Sequence, residues 1–171
     1  MNFKAILVVA GEPNSIFLEI FFKSLKFKKY KSPIIIVCSK RLLEEQMKKL
    51  KYNFKINVIN NDFLEFNIMN NKQINLINVD YKFKKCFETI SDKSNYYIKE
   101  CFNVALDILK KNKLKKFING PISKKHFLKG KTLGITEYLA KKTNKVDDVA
   151  MLIFNKKLSV SPLTTHLALK N

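Results

Sequence analysis

The run FKAILVVAGEPNSIFLEIFFKSL, residues 3–25, sets the fold. Phe3 to Val9 is a nearly continuous apolar and β-branched stretch, as a strand shows when both its faces are covered. Gly11, Glu12, Pro13, Asn14 and Ser15 make a turn. Ile16 to Leu25 then spaces its apolar residues for a helix. Strand, loop and helix in that order form one unit of a crossover fold.

Working outward, the pattern repeats. Pro33 opens a strand at Ile34 to Val37, and Ser39 is placed to cap a helix from Lys40 to Leu50. Strands are predicted at Phe54 to Ile59 and Ile74 to Val79. The polar, asparagine-rich stretch between them, Asn60 to Lys72, reads as a connection without chemistry of its own. A long helix is predicted from Ser91, capped by Ser94 or by Ser91 itself. Its stripe is Tyr97, Cys101, Val104, Ala105, Ile108 and Leu109, and Lys110, Lys111 and Lys113 suit the negative end of the helix dipole. A short strand at Phe117 and Ile118 leads to the loop Asn119 to Ser123, a helical turn at Lys124 to Leu128 and a helix near Thr136. Strands at Val149 to Phe154 and Leu158 to Ser161 close the chain. This alternation predicts an α/β fold, a largely parallel sheet with helices on both faces.

In such sheets ligands sit beyond the carboxyl ends of the strands. Three loops qualify: Gly11 to Ser15, Asn119 to Ser123, and Thr164 to His166. With four glycines in the chain there is neither a Gly-x-Gly-x-x-Gly run nor a Gly-rich loop ending in Gly-Lys-Ser/Thr, so neither usual nucleotide fingerprint is present.

The formal charge is +19 over 171 residues. A field of that sign attracts polyanions. Arg41 is the single arginine, however, and nucleic-acid readers favour arginine's planar fork, which weighs against a nucleic-acid partner. The lysines are spread along the chain and, with abundant asparagine and no tryptophan, read as solvated faces shaped by a biased composition. A basic module for nucleic acid or another anionic surface is the alternative reading. Cys38, Cys86 and Cys101 are odd in number and widely spaced among apolar residues. They read as reduced core residues of a cytoplasmic protein, with neither a disulfide framework nor a zinc cluster. No segment approaches the roughly 20 apolar residues of a membrane span, so a soluble protein with no membrane partner is expected.

Three segments can carry chemistry. Asn119-Gly120-Pro121-Ile122-Ser123-Lys124 joins a strand to a helical turn, with Ser123 available as a cap and Lys124 as a cation for a phosphate or carboxylate. Gly134-Ile135-Thr136-Glu137 is a second junction, where Thr136 is placed to cap a helix and Glu137 to sit in its first turn. Thr164-Thr165-His166 holds one of two histidines. A single imidazole cannot hold a divalent cation unaided. His126, amid lysines, reads as a surface residue.

In this order, and with Met151-Leu152 between the last two and Leu167-Ala168-Leu169 closing the third, these segments resemble the 4-hydroxythreonine-4-phosphate dehydrogenase family of pyridoxal phosphate (vitamin B6) biosynthesis. Ala10-Gly11-Glu12-Pro13 with Glu19 is similar to a degenerate form of that family's opening Gly-Asp-Pro signature. The resemblance covers about the first half of a family member, so residues 1–171 are expected to be its N-terminal portion, with the second half absent. It implies an isocitrate/isopropylmalate dehydrogenase-like three-layer fold and a homodimer sharing a divalent metal (zinc, magnesium or cobalt). It also implies NAD-dependent oxidation of 4-phosphohydroxy-L-threonine to the 3-oxo acid, which decarboxylates to 3-amino-2-oxopropyl phosphate. The metal would bind the substrate hydroxyl and amine and stabilise the developing alkoxide. On the family pattern His166 matches a metal-ligating histidine and Thr136 a substrate-binding threonine, Ile135 occupies the place of a substrate-binding histidine, and Lys124 is a further candidate substrate contact.

Overall fold

In the computed structural model, residues 4–60, 64, 69–112, 114–146 and 148–163 are described. Phe3, Lys113, part of the 60–72 connection and all of Thr164 to Leu169, including His166, lie outside them. The chain forms two compact units that divide between Ser123 and Lys124.

The first unit is built on a five-stranded parallel sheet. Its strands are β1 (Ile6–Val9), β2 (Ile34–Cys38), β3 (Ile56–Val58), β4 (Ile74–Asn78) and β5 (Phe117–Asn119), in the spatial order β3-β4-β2-β1-β5. Three helices serve as crossovers: α1 (Phe17–Phe27), α2 (Lys40–Lys49) and α3 (Asn95–Lys111). Register places Leu7 opposite Ile35 and Phe117, and Val8 opposite Ile36 and Ile118. Because side chains alternate across a strand, the sheet buries two sets of residues. Val8, Ile36 and Leu76 join Leu18 and Phe22 of α1 and Leu42 and Leu43 of α2 in one core. Leu7, Val9, Ile35 and Val37 are also fully buried and face the other way, where α3 packs on β1 and β2. Helices therefore cover both faces, as the apolar runs required. Phe22 has no exposed surface; a side chain of its class stabilises by roughly 1.5–3 kcal/mol when buried.

Local signals decide the element ends. Ser39 caps α2 as expected, its hydroxyl accepting from Leu42 N at 3.3 Å, a cap of a kind that contributes about 1 kcal/mol. Neither Ser91 nor Ser94 caps with its side chain. A short 3-10 turn, Asp92–Ser94, precedes α3, and the single Ser94 hydroxyl proton is instead shared between the Glu12 carboxylate at 2.9 Å and Ser91 O at 3.1 Å. The buried stripe of α3 is Tyr97, Ile98, Cys101, Phe102, Ala105 and Ile108, with Val104 and Leu109 half-buried at its margins. All three cysteines are buried and free.

The 60–72 connection does more than connect. Asn71 Oδ1 accepts from Ile34 N at 2.9 Å, while its amide donates to Tyr30 O at 2.9 Å and Ser32 O at 2.8 Å. One half-buried amide thus holds the approach to β2, compensating backbone groups that the sheet leaves unpaired.

The second unit contains a five-residue π-type turn at Lys124–Leu128, the helix α4 (Ile135–Thr143), and two short strands, β6 (Ile153–Phe154) and β7 (Ser159–Val160). The strands are shorter than the sequence predicts. Among the described residues they pair with each other, antiparallel, with Asn155 N bonded to Leu158 O across the turn. Ile153, Phe154 and Leu158 are mostly exposed, so among the described residues of this unit no second layer covers the apolar runs. Among the described residues no helix is long and apolar enough to cross a membrane.

Candidate functional site

At the carboxyl end of the first unit's sheet, the loops after β1 and β5 are locked backbone to backbone. Gly120 N donates to Val9 O at 2.7 Å, and Glu12 N donates to Pro121 O at 2.8 Å. Gly11 has φ +74°, and a Cβ there would strike the Pro121 carbonyl; a Cβ on Gly120 would strike the Ala10 carbonyl. Only glycine permits either approach.

Glu12 sits at the centre of this arrangement and is 3% exposed. Its Oε1 accepts from Asn14 N at 3.2 Å and its Oε2 from Ser94 Oγ at 2.9 Å. Asn14 Oδ1 in turn accepts from Glu88 N at 3.0 Å. A single buried carboxylate therefore ties the loop after β1 to the start of α3, and through Asn14 to the connection after β4. Two donors satisfy the oxygens of a buried carboxylate. Burial pushes the Tyr81 phenol above its ordinary value, and the Glu12 and Glu88 carboxylates add to the shift. Gln46 donates to Pro13 O at 2.8 Å, while its own Oε1 is buried and has no partner among the described residues. Sequence reasoning placed Glu12 in the opening signature without assigning it this role; a carboxylate directly after the first strand was the available signal.

The Asn119-Gly120-Pro121 turn is less open to an anion than its composition suggests. The Gly120 N–H is committed to Val9 O, and Pro121 has none to offer. The next element is the five-residue turn Lys124–Leu128, too short to develop a helix dipole. Lys124 is exposed at its first position, and His126 is half-buried.

In the second unit Thr136 does not cap α4. The N-cap is Gly134, with extended backbone and no side-chain cap bond, so Ile135 is the first helical residue, with Thr136 and Glu137 after it in the first turn. Thr136 and Glu137 instead line a cavity of about 750 Å3 together with Thr132, Ala140, Met151 and Pro162. Its walls are mostly apolar, but Thr132 Oγ1 and Glu137 Oε2 are buried there with no hydrogen-bond partner among the described residues. Ile135 and Lys124 are not among the residues that line it.

Among the described residues no three His, Cys, Asp or Glu side chains are grouped to hold a metal ion, and His166 lies outside them. The described donor set does not by itself fit a divalent metal.

A 4-hydroxythreonine-4-phosphate dehydrogenase of Sulfurihydrogenibium sp. (strain YO3AOP1) is 31% identical, over 97% of this chain and 51% of that protein. The crystal structure of a 4-hydroxythreonine-4-phosphate dehydrogenase from Klebsiella pneumoniae superposes with a TM-score of 0.80 at 24% identity, covering 97% of this chain and 52% of its own. One from Burkholderia phymatum gives 0.79 at 20% identity, covering 97% and 51%. These two show the α/β fold, and the chain spans about half the length of the relatives it matches. Residues 29–171 match the family described as "Pyridoxal phosphate biosynthetic protein PdxA", and the chain belongs to that family.

Proposed function

We propose that residues 1–171 are the N-terminal portion of a 4-hydroxythreonine-4-phosphate dehydrogenase and supply part of its site for 4-phosphohydroxy-L-threonine, in pyridoxine 5'-phosphate biosynthesis. The observation that carries this reading is Thr136. It does not cap α4 and lines a recess of about 750 Å3, at the position the family pattern gives to a substrate contact. Its hydroxyl would hydrogen-bond a substrate oxygen. Lys124 would offer a cation to an anionic group, and Ile135 would shape the site by contact alone, since it has no donor where the family pattern has a histidine.

In the proposed reaction the secondary alcohol loses a hydride from carbon and a proton from oxygen, and the resulting 3-oxo acid loses carbon dioxide to give 3-amino-2-oxopropyl phosphate. NAD, when bound, accepts the hydride. The chain's contribution is to hold the alcohol in a reactive orientation. His166 is proposed as a metal ligand. The described residues provide no companions for it, so no step is derived through a metal, and the NAD contacts and other ligands are assigned to the length of the family that this sequence does not span. The homodimer and the cytoplasmic location are proposed on the same family grounds.

Calorimetric titration of the chain with 4-phosphohydroxy-L-threonine tests the reading. Saturable binding that Thr136→Val weakens is expected. Absence of binding, or equal binding by wild type and variant, would overturn the assignment of Thr136.

A further inference from the structure

Lysines scattered along the sequence are gathered by the fold. All five strands of the first unit are parallel, so they start at one end, and the crossover helices finish there. Two recesses open at that amino end. One, of about 420 Å3, is lined by Lys4, Lys115 and Lys116 with Ser32 and Leu114. The other, of about 590 Å3, is lined by Lys26, Lys28, Lys29 and Lys72 with Phe27 and Tyr30. Among the described residues no carboxylate lines either recess.

Helix dipoles explain only some of these cations. Lys26 lies in the last turn of α1, as Lys48 and Lys49 do in α2 and Lys110 and Lys111 in α3, where positive charge offsets the free carbonyls. Lys28 is the C-cap residue of α1 and is accounted for in the same way, whereas Lys4, Lys29, Lys72, Lys115 and Lys116 are in connections, where no dipole calls for them. A compositional bias towards lysine would not remove the acids. Yet Glu12, Asp80, Glu88 and Asp92 lie in segments beyond the opposite end of the strands, Glu19, Glu44 and Glu45 pair with Lys23, Lys40 and Arg41 along helix flanks, and Asp107, near the end of α3, is paired with Lys111 and lines neither recess. The face is also held in place, because Asn71, beside Lys72, fastens Tyr30 and Ser32 and so fixes the lysine-bearing connection between them and α1. Phe27, between Lys26 and Lys28, is 75% exposed and so is open to stacking.

We infer that the amino end of this sheet docks single-stranded nucleic acid, with the lysines tracking the phosphates and Phe27 stacking on a base. Lysine is a point charge without arginine's bidentate fork, so the contact is to backbone and not to sequence. An aromatic flanked by cations distinguishes this surface from one that merely adsorbs polyanions, because bases stack and lipid headgroups do not. The face lies at the end of the sheet away from the Gly11 to Ser15 and Asn119 to Ser123 loops.

The test uses fluorescence anisotropy of the full 171-residue chain with a labelled homopolymeric oligonucleotide of about 20 nucleotides. Binding should weaken steeply as salt rises. The triple variants K28E/K29E/K72E and K4E/K115E/K116E should each weaken it at least about tenfold, whereas K82E/K84E/K85E, the same charge change after β4, should alter it about twofold or less. Phe27→Ala should weaken single-strand binding about fivefold and leave duplex binding unchanged, with circular dichroism confirming that each variant is folded. Equal losses from all three charge variants would mean that only the overall field acts, and would overturn the proposal. So would a Phe27→Ala protein indistinguishable from wild type, or binding to phosphatidylserine vesicles with none to the oligonucleotide.

Discussion

Ser94 Oγ donates to Glu12 Oε2 at 2.9 Å, a bond that spans 82 residues of sequence and is buried at both ends. Ser94→Ala removes the donor and leaves a carboxylate oxygen out of reach of water. Loss of a hydrogen bond to a buried charge costs about 1.5–3 kcal/mol, and urea denaturation should show the unfolding free energy falling by that amount. A change within about 0.5 kcal/mol would mean that water enters and replaces the hydroxyl.

Two glycines separate steric need from conformational need. A Cβ on Gly120 meets the Ala10 carbonyl, a backbone atom that cannot swing aside, whereas Gly130 has φ +71° and open space around it. Gly120→Ala should therefore destabilise by about 3 kcal/mol or more, as overpacking against fixed backbone does. Gly130→Ala should cost only about 1–2 kcal/mol, the penalty of a left-handed backbone. Comparison of the two denaturation midpoints checks the ordering.

The thiols are predicted to be inert. Burial pushes Cys101 up to about 12, against an ordinary value of 9, and raises Cys38 as well, with Cys101 nearby as a second cause. Ellman's reagent at about pH 8 should react slowly with the folded chain and with all three cysteines after denaturation. A group whose folded value lies above its unfolded one lends stability that is complete below the unfolded value and is lost as pH rises through the folded one. The contribution of Cys101 should therefore decline between about pH 9 and 12, observed as a falling thermal midpoint. A thiol that titrates near 9 in the folded protein would contradict the burial.

Thr136→Val keeps the shape of the side chain and removes its hydroxyl. If that hydroxyl meets the substrate, affinity should fall by about tenfold, the equivalent of roughly 1.4 kcal/mol, with little change in thermal stability because it makes no cap bond in α4. A loss of stability with unchanged affinity would assign Thr136 to the helix and not to the ligand.

Much of this was legible in the sequence for a physical reason. Apolar runs such as Ile34–Cys38, buried on both sides, leave no choice but a sheet covered by helices on both faces. The boundaries around β1, β2 and α2 are set by Gly11, Pro33 and Ser39, whose backbone and capping chemistry is local. Long-range partners were not legible. Ser94 has the composition of a cap, yet its hydroxyl is drawn to Glu12, a competitor invisible in a local window. Thr136 likewise has the composition of a cap, but Gly134 takes that position. Asn71 lies in a stretch that reads as a plain connection, because three bonds to the approach of β2 leave no periodic trace. The charge polarity of the sheet is hidden for a similar reason: lysines far apart in sequence meet only when parallel strands align their starts.

The strand order has a consequence for synthesis. β1 is made first, but it lies between β2 and β5, so one edge finds its partner only when Phe117–Asn119 has been made. At ordinary translation rates that interval is on the order of ten seconds. During it Leu7, Val8 and Val9 present an apolar, unpaired edge to any neighbouring nascent chain, so crowding on the ribosome and slow translation of the middle of the message should lower the yield of folded protein more than changes in either helix-covered face.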